Sequence, residues 1–236
     1  MGHWVASLLN ALDTADSAEE AFAAIADGAR HLGFEWCAYG VDRPLPFTRI
    51  NCFQISNYAQ SWQTRYAEAC YLQVDPTVMR AKQSIEPMVW ADSDLREAPQ
   101  FWDEASSFGL RYGWAQSCID ASGRVGLLSL ARGNEAIGEA EIKLKDPELR
   151  WLANRAHTAM SRHLGDGSQR RVPKLTPREV EVLRWAGDGK SARQTAQILG
   201  VKKCTVDLHV ANVRRKLGAN SRPAAVAQAT ARGLLR

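Results

Sequence analysis

"LTPREVEVLRWAGDGKSARQTAQILGVKKCTVDLHVANVRRKLG", from Leu175 to Gly218, carries three helical signals in succession. In the first, Thr176 is placed to cap, Pro177 takes the first helical position and Glu179 completes a capping box. Proline is tolerated there because the first N–H groups of a helix have no intrahelical partner. Ser191 and Gln194 repeat the capping device, and Gly200 supplies the left-handed residue that stops a helix. In the third, Val206, Val210, Val213 and Leu217 recur at helical spacing as one apolar stripe, closed by Gly218. "SRPAAVAQATARGLL" adds a last, Ala-rich helix. Two short helices joined by a tight connection, the second ending in Arg214-Arg215-Lys216, fit a helix-turn-helix. Its second helix enters the major groove while basic side chains hold phosphates. A small helical bundle with a basic face fits the same periodicity.

Working outward, "LGDGSQRRVPK" (Leu164–Lys174) is rich in Gly, basic residues and Pro and poor in apolar ones, as linkers are. It predicts a first domain over residues 1–165, a linker over 166–173 and a helical domain over 174–236. From Gln169 onward Lys and Arg outnumber Asp and Glu, while the preceding part is acidic on balance, within a net charge of +4. The asymmetry points to a polyanion docking on the C-terminal domain. A solvated basic surface is the plainer alternative.

The first domain mixes helices and strands. "SAEEAFAAIADGARHLGF" predicts an amphipathic helix capped by Ser17, with Phe22, Ile25, Ala26 and Ala29 on one face and Gly33 at its end. "EWCAYGV", "CFQIS", "EPMVWAD", "GWAQSCID" and "VGLLSLAR" predict strands, the last entered through the turn "ASGR". "DPELRWLANRAHTAMSRHL" predicts a long helix beginning at an Asp146 cap with Pro147 at its first position. Helices at both ends of several short-turned strands give an α+β domain, a helix–antiparallel sheet–helix sandwich, followed by a small all-α domain.

Several function classes are excluded on this pattern. The five cysteines are scattered with no C-x-x-C, which predicts no metal, no disulfide frame and a reducing cytoplasm. No apolar run approaches the length of a membrane span, and no basic-then-apolar leader precedes the first helix, so no membrane association is expected. His31, His157 and His163 fall on helical segments without partners at ligand spacing, and Ser122–Arg124 is a turn rather than a phosphate cradle. No enzyme and no cofactor are expected.

The C-terminal stretch resembles the DNA-binding domain of the LuxR-type transcription factors. The matching positions include Leu175, Thr176, Arg178, Glu179, Leu183, Gly189, Lys190, Ala196, Leu199, Thr205, Val206, His209, Val210, Asn212, Lys216 and Leu217. One branch of that family carries an N-terminal acyl-homoserine lactone receptor, and "SNYAQSWQTRYAEACYLQVDP" (Ser56–Pro76) resembles it in order and spacing. So do Trp90, "FW" at Phe101 with Ala105 and Gly109, Gly113 and "GLLSLAR". The resemblance spans roughly Ala18 to the C-terminus. It implies a quorum-sensing regulator with a buried pocket, homodimerisation and a two-fold symmetric promoter site. A regulator of the same architecture that needs no ligand, or a different one, is the alternative.

The chemistry of such a ligand fits the residues. An acyl-homoserine lactone carries an amide N–H, an amide carbonyl and a lactone carbonyl on an oily tail, and a buried site must satisfy all three. Ionised Asp75 is acceptor-only and suits the N–H; the Trp62 indole is donor-only and suits the lactone carbonyl. The Tyr58 and Ser129 hydroxyls suit the amide carbonyl. By resemblance, Trp90, Phe101 and Ala105 wall the lactone ring. Tyr66 reads as core on the Tyr58–Trp62–Tyr66 stripe and is also counted among the ligand-binding candidates. Taken singly, Asp75-Pro76 also fits a turn or helix start, and Ser129 an ordinary strand residue.

On the DNA side, Lys202, Lys203, Arg214, Arg215 and Lys216 are expected at the phosphate backbone, and Thr205, Asp207, Leu208 and Ala211 toward the bases. Relatives often carry basic or amide side chains at the positions of Asp207 and Ala211. An acidic residue there predicts an altered site preference and lower affinity, since Asp accepts from a cytosine amino group and repels phosphates.

Overall fold

A computed structural model describes residues 3–42, 52–91, 98–120, 123–164 and 174–235. Its elements form two compact units, the first built on a sheet and the second all helical. The predicted linker lies outside the described residues, as does the first half of the "ASGR" turn.

The first unit runs α1 (His3–Thr14), α2 (Ala18–His31), β1 (Trp36–Asp42), β2 (Cys52–Ser56), α3 (Gln60–Glu68), a 3-10 turn (Tyr71–Gln73), α4 (Pro76–Ala81), β3 (Met88–Ala91), α5 (Pro99–Ser107), β4 (Tyr112–Ile119), β5 (Val125–Arg132) and α6 (Glu139–His163). The strands form one antiparallel sheet in the order β2-β1-β5-β4-β3. This is the α+β sandwich expected from the sequence. Ser17 caps α2 by accepting from the Glu20 N–H, and Phe22, Ile25, Ala26 and Ala29 are buried.

The sheet has two unlike faces. Cys37, Tyr39 and Val41 on β1 and Leu128 and Leu130 on β5 are at most 3% exposed and join α2 and α6 in the main core. The alternate residues Ala38, Gly40, Leu127 and Ser129 are only half-buried, although β5 is the central strand. Side chains alternate across a strand, so the second face borders accessible space. Gly126 fits the first face: a Cβ there would overlap His157 Nδ1 and stand 2.7 Å from Tyr39 Oη. Those two atoms are hydrogen-bonded at 2.8 Å, which partners His157 through Nδ1 within the core.

One sequence expectation is overturned. The long helix begins at Glu139, not at Asp146, and Pro147 lies inside it. An interior proline costs a helix about 3 kcal/mol. Before it, Glu141 accepts from Arg132 at 2.9 and 2.7 Å and from Lys145 at 2.8 Å, and Lys145 also reaches the Leu32 carbonyl at 2.8 Å. That network anchors the additional turns. α5 opens with Pro99 at its first position but has no side-chain cap, since it follows Ala98, which sits in the left-handed region with φ 56°.

The second unit is α7 (Pro177–Gly187), α8 (Ala192–Leu199), α9 (Lys203–Leu217) and α10 (Arg222–Ala231). Both predicted capping boxes are present, with reciprocal bonds at Thr176/Glu179 and Ser191/Gln194. Gly200 and Gly218 adopt φ of 64° and 70° and stop α8 and α9. Val206, Val213 and Leu217 are buried in the core as the stripe required, with Val210 partly buried beside them. Among the described residues no helix is long and apolar enough to cross a membrane, and no cluster of His, Cys, Asp and Glu could hold a metal.

Candidate functional site

Asp75 is the cap of α4, and its Oδ1 accepts from the Thr77 N–H at 2.8 Å and the Thr77 hydroxyl at 2.7 Å. Its Oδ2 accepts from the Tyr66 hydroxyl at 2.9 Å. The helix-start explanation of Asp75-Pro76 is therefore true, but it accounts for one oxygen only. Asp75 is 7% exposed. Burial raises its pKa above the usual carboxylate range, while the bonds from Thr77 and Tyr66 act to lower it. A carboxylate oxygen has two lone pairs, so Oδ2 retains acceptor capacity beyond Tyr66.

Around this carboxylate lies a second buried cluster containing Trp62, Tyr71, Trp90, Phe101, Trp102 and Ala105, with Tyr58 and Tyr66 packed against it. Seven of the eight expected pocket residues thus come together, Asp75 through its bond to Tyr66. Trp62 is 2% exposed, and its ring lies 5.3 to 6.0 Å from those of Phe108, Tyr66, Tyr71 and Phe101. Among the described residues, the Trp90 and Trp102 indole nitrogens beside it are buried without a hydrogen-bond partner. An unpaired buried donor costs about 1–3 kcal/mol, so this cluster suits a guest that brings acceptors.

The eighth residue, Ser129, stands on the half-buried face of β5, beside Ala38 of β1 and Ala115 of β4. Burial pushes the Tyr58 phenol well above its ordinary pKa, and the Ser129 side chain beside it acts in the opposite direction. Gly113, opposite Trp90 across the β3–β4 pair, has no room for a side chain: a Cβ would overlap the Trp90 ring and lie 2.5 Å from the Leu130 carbonyl.

Sequence reasoning missed Tyr71, Trp102 and Thr77, although all three stand in or beside the stretches that carry the resemblance. It also missed Arg65, whose guanidinium grips Glu104 with bonds of 2.6 and 2.7 Å and ties α3 to α5. No local pattern marks a pair separated by 39 positions.

In the helical unit, α9 follows α8 through Gly200–Lys202, and its outer surface presents Cys204, Asp207, Leu208, Ala211, Arg214 and Arg215, all exposed. Leu208 is 60% exposed. Lys202 and Lys203 are exposed at its start, and Thr205 is half-buried. Lys203 reaches Asp207 at 2.7 Å. Arg214 donates to the Asn220 carbonyl at 2.6 Å and Arg215 to Asn212 Oδ1 at 3.2 Å. Lys216 is turned inward, 2.6 Å from the buried Glu179 and 3.2 Å from the Lys174 carbonyl. Burial pushes the Glu179 carboxyl up, but Lys216 and the Thr176 N–H outweigh it and hold it below its usual range.

Comparison with known proteins covers both units. The autoinducer binding domain matches residues 17–160, and the luxR family of bacterial regulatory proteins matches residues 173–229. The transcriptional activator protein AnoR of Acinetobacter nosocomialis is 37% identical over 238 residues, covering all of both chains. The transcriptional activator protein SolR of Ralstonia nicotianae is 38% identical over 243 residues, again covering all of both. Among solved structures, Escherichia coli SdiA superposes with a TM-score of 0.82 at 27% identity, covering 99% of this chain and 98% of that one.

Proposed function

The chain belongs to the luxR family of bacterial regulatory proteins, and from that premise we propose that an N-acyl-homoserine lactone bound in its first unit controls promoter binding by its second. It is a DNA-binding transcriptional regulator of the quorum-sensing type, not an enzyme. The observation that carries the ligand assignment is the buried Asp75 carboxylate, held by Thr77 and Tyr66 beside an aromatic cluster with unpaired indole donors. Asp75 takes the amide N–H, Trp62 donates to the lactone carbonyl, and Tyr58 with Ser129 serves the amide carbonyl. Trp90, Phe101 and Ala105 enclose the ring, and Tyr66 holds Asp75 in place. Lys202, Lys203, Arg214 and Arg215 contact phosphates; Lys216 contributes by anchoring α9 on Glu179; Thr205, Asp207, Leu208 and Ala211 face the bases. The regulator acts as a cytoplasmic homodimer on a two-fold symmetric site, because one such helix reads only one half-site.

A second ligand class has a specific observation behind it. SdiA, 27% identical with a TM-score of 0.81, has been solved in complex with octanoyl-rac-glycerol. An acyl glycerol offers an ester carbonyl and hydroxyls but no amide N–H. Titration of the full chain with each ligand, followed by gel shift on promoter DNA, separates the two. The lactone raises the melting temperature and DNA affinity, by about 3–4 kcal/mol of stability at several hundred times its Kd. Equal melting temperatures with and without every lactone tried would remove the lactone assignment.

A further inference from the structure

We infer that the pocket accepts acyl chains of medium length, and that Leu127 with Gly40 sets the limit. The inference rests on the lactone assignment above and deepens it.

The pocket face of the sheet is ordered in rungs by its register. The first is Trp36, Ala131 and Gly113, which pair across β1, β5 and β4 and lie at the Trp90 end. The second is Ala38, Ser129 and Ala115. The third is Gly40, Leu127 and Ser117. Beyond it the same face ends at Val125 and at Asp42, an exposed carboxylate. The facing is fixed independently by the glycines: a Cβ on Gly126 would point at His157 and Tyr39 on the helix side, whereas one on Gly40 would point at Cys52 and Gln54 on the pocket side.

With the lactone ring at the first rung and the amide carbonyl at Ser129, the acyl chain runs toward the third. Two residues along a strand advance about 6.7 Å. An extended hydrocarbon advances about 1.3 Å per bond, so roughly five bonds separate the carbonyl from Leu127. The chain therefore meets the Leu127 side chain near its sixth carbon. Leu127 is half-buried and, unlike its neighbours Leu128 and Leu130, belongs to neither core cluster of this unit among the described residues. An apolar side chain on a central strand, outside both of those clusters and on the pocket face, is placed to pack against a guest. α6 packs against β4 and β5 in the main core, and α4 also contacts both strands. A chain long enough to pass Leu127 would bring its methyl end against Asp42, which favours water.

The test uses the full chain and unbranched saturated N-acyl-homoserine lactones of about four to fourteen carbons. Each methylene that fits adds about fourfold in affinity. Wild-type affinity rises to about six to eight carbons and then stops rising. Leu127→Ala moves the optimum about two to four carbons longer. Gly40→Ala moves it shorter, because the added methyl has Cys52 Sγ, the Phe53 carbonyl and Gln54 Cγ as its nearest neighbours at 3.8 to 3.9 Å, ordinary contacts that leave the fold intact while the methyl takes up space on the pocket face. The variants push in opposite directions, so either one carries the test alone. A wild-type optimum at twelve carbons or more, or an unchanged rank order in the folded variants, overturns the limit while leaving the lactone assignment standing. Failure of wild type to bind any lactone overturns both.

Discussion

Tyr66 and Asp75, nine positions apart, meet through a hydrogen bond of 2.9 Å from the phenol to Oδ2. The pair gives the stripe Tyr58–Trp62–Tyr66 two purposes. Tyr66 packs in the aromatic cluster with its ring, as core residues do, and its hydroxyl holds Asp75 Oδ2, the acceptor proposed for the ligand amide. Asp75→Asn presents an N–H where the ligand amide needs an acceptor, at about 1–3 kcal/mol for the unpaired donor and more for the lost charge. Lactone response in a promoter reporter should be abolished. Tyr66→Phe keeps the ring and loses only the alignment, about 1 kcal/mol, so it should raise the half-maximal lactone concentration about fivefold. An Asp75→Asn dose response equal to wild type would refute the role of the carboxylate.

Gly113→Ala should fail to give soluble protein even with lactone present. The new Cβ has the Trp90 ring on one side and the Leu130 carbonyl at 2.5 Å on the other, and neither can yield without breaking the β3–β4–β5 pairing. Overpacking of this kind costs about 3 kcal/mol or more. Recovery of soluble Gly113→Ala with an unchanged melting temperature would contradict the tight Trp90–Gly113 contact.

The sequence carried the second unit almost whole, because its helices announce themselves locally. Thr176/Glu179, Ser191/Gln194, Gly200 and Gly218 each satisfy or terminate backbone within four residues. The sheet was legible as strands, but its order and the unlike exposure of its faces are non-local. The start of α6 was misplaced because Asp146-Pro147 reads locally as a cap and first helical position, while the counterweight, Arg132 on Glu141, comes from another element. The pocket divides in the same way. Asp75, Trp62 and Trp90 lie in recognisable stretches, whereas the Arg65–Glu104 brace and the placement of Leu127 exist only after folding.

The Arg132–Glu141–Lys145 network predicts acid sensitivity. The hydrogen bond from Arg132, seconded by Lys145, lowers the Glu141 pKa from 4.5 to about 2 in the folded chain. A depressed carboxylate stabilises the fold above its unfolded pKa and loses that contribution as pH falls through its folded one. The melting temperature should therefore fall between about pH 4.5 and pH 2. Glu141→Gln should start lower at neutral pH and show a shallower acid slope. Identical slopes in the two proteins would remove the network from the account.

Lys203 and Asp207 form an exposed ion pair of 2.7 Å on the outer surface of α9. Asp207→Asn removes a charge that repels phosphate and releases Lys203 toward the backbone. DNA binding should tighten across sequences, with a salt dependence steeper by about one unit of log–log slope, and any preference for cytosine at one position should relax. Gel-shift titration on a randomised site library measures both. Unchanged preference in the variant would end the base-reading role of Asp207.

The contact proposed between Asp75 and the amide N–H of an acyl-homoserine lactone is measured directly by a cycle between protein and ligand. Calorimetric titration of wild type and Asp75→Asn is made with one lactone and with its ester counterpart, in which oxygen replaces the amide nitrogen. In wild type the ester should bind at least about tenfold more weakly, since it leaves a buried carboxylate facing an acceptor. In Asp75→Asn, whose amide can donate to the ester oxygen, that penalty should vanish or reverse. The same penalty in both proteins would show that the amide N–H is bound elsewhere, and would contradict the account.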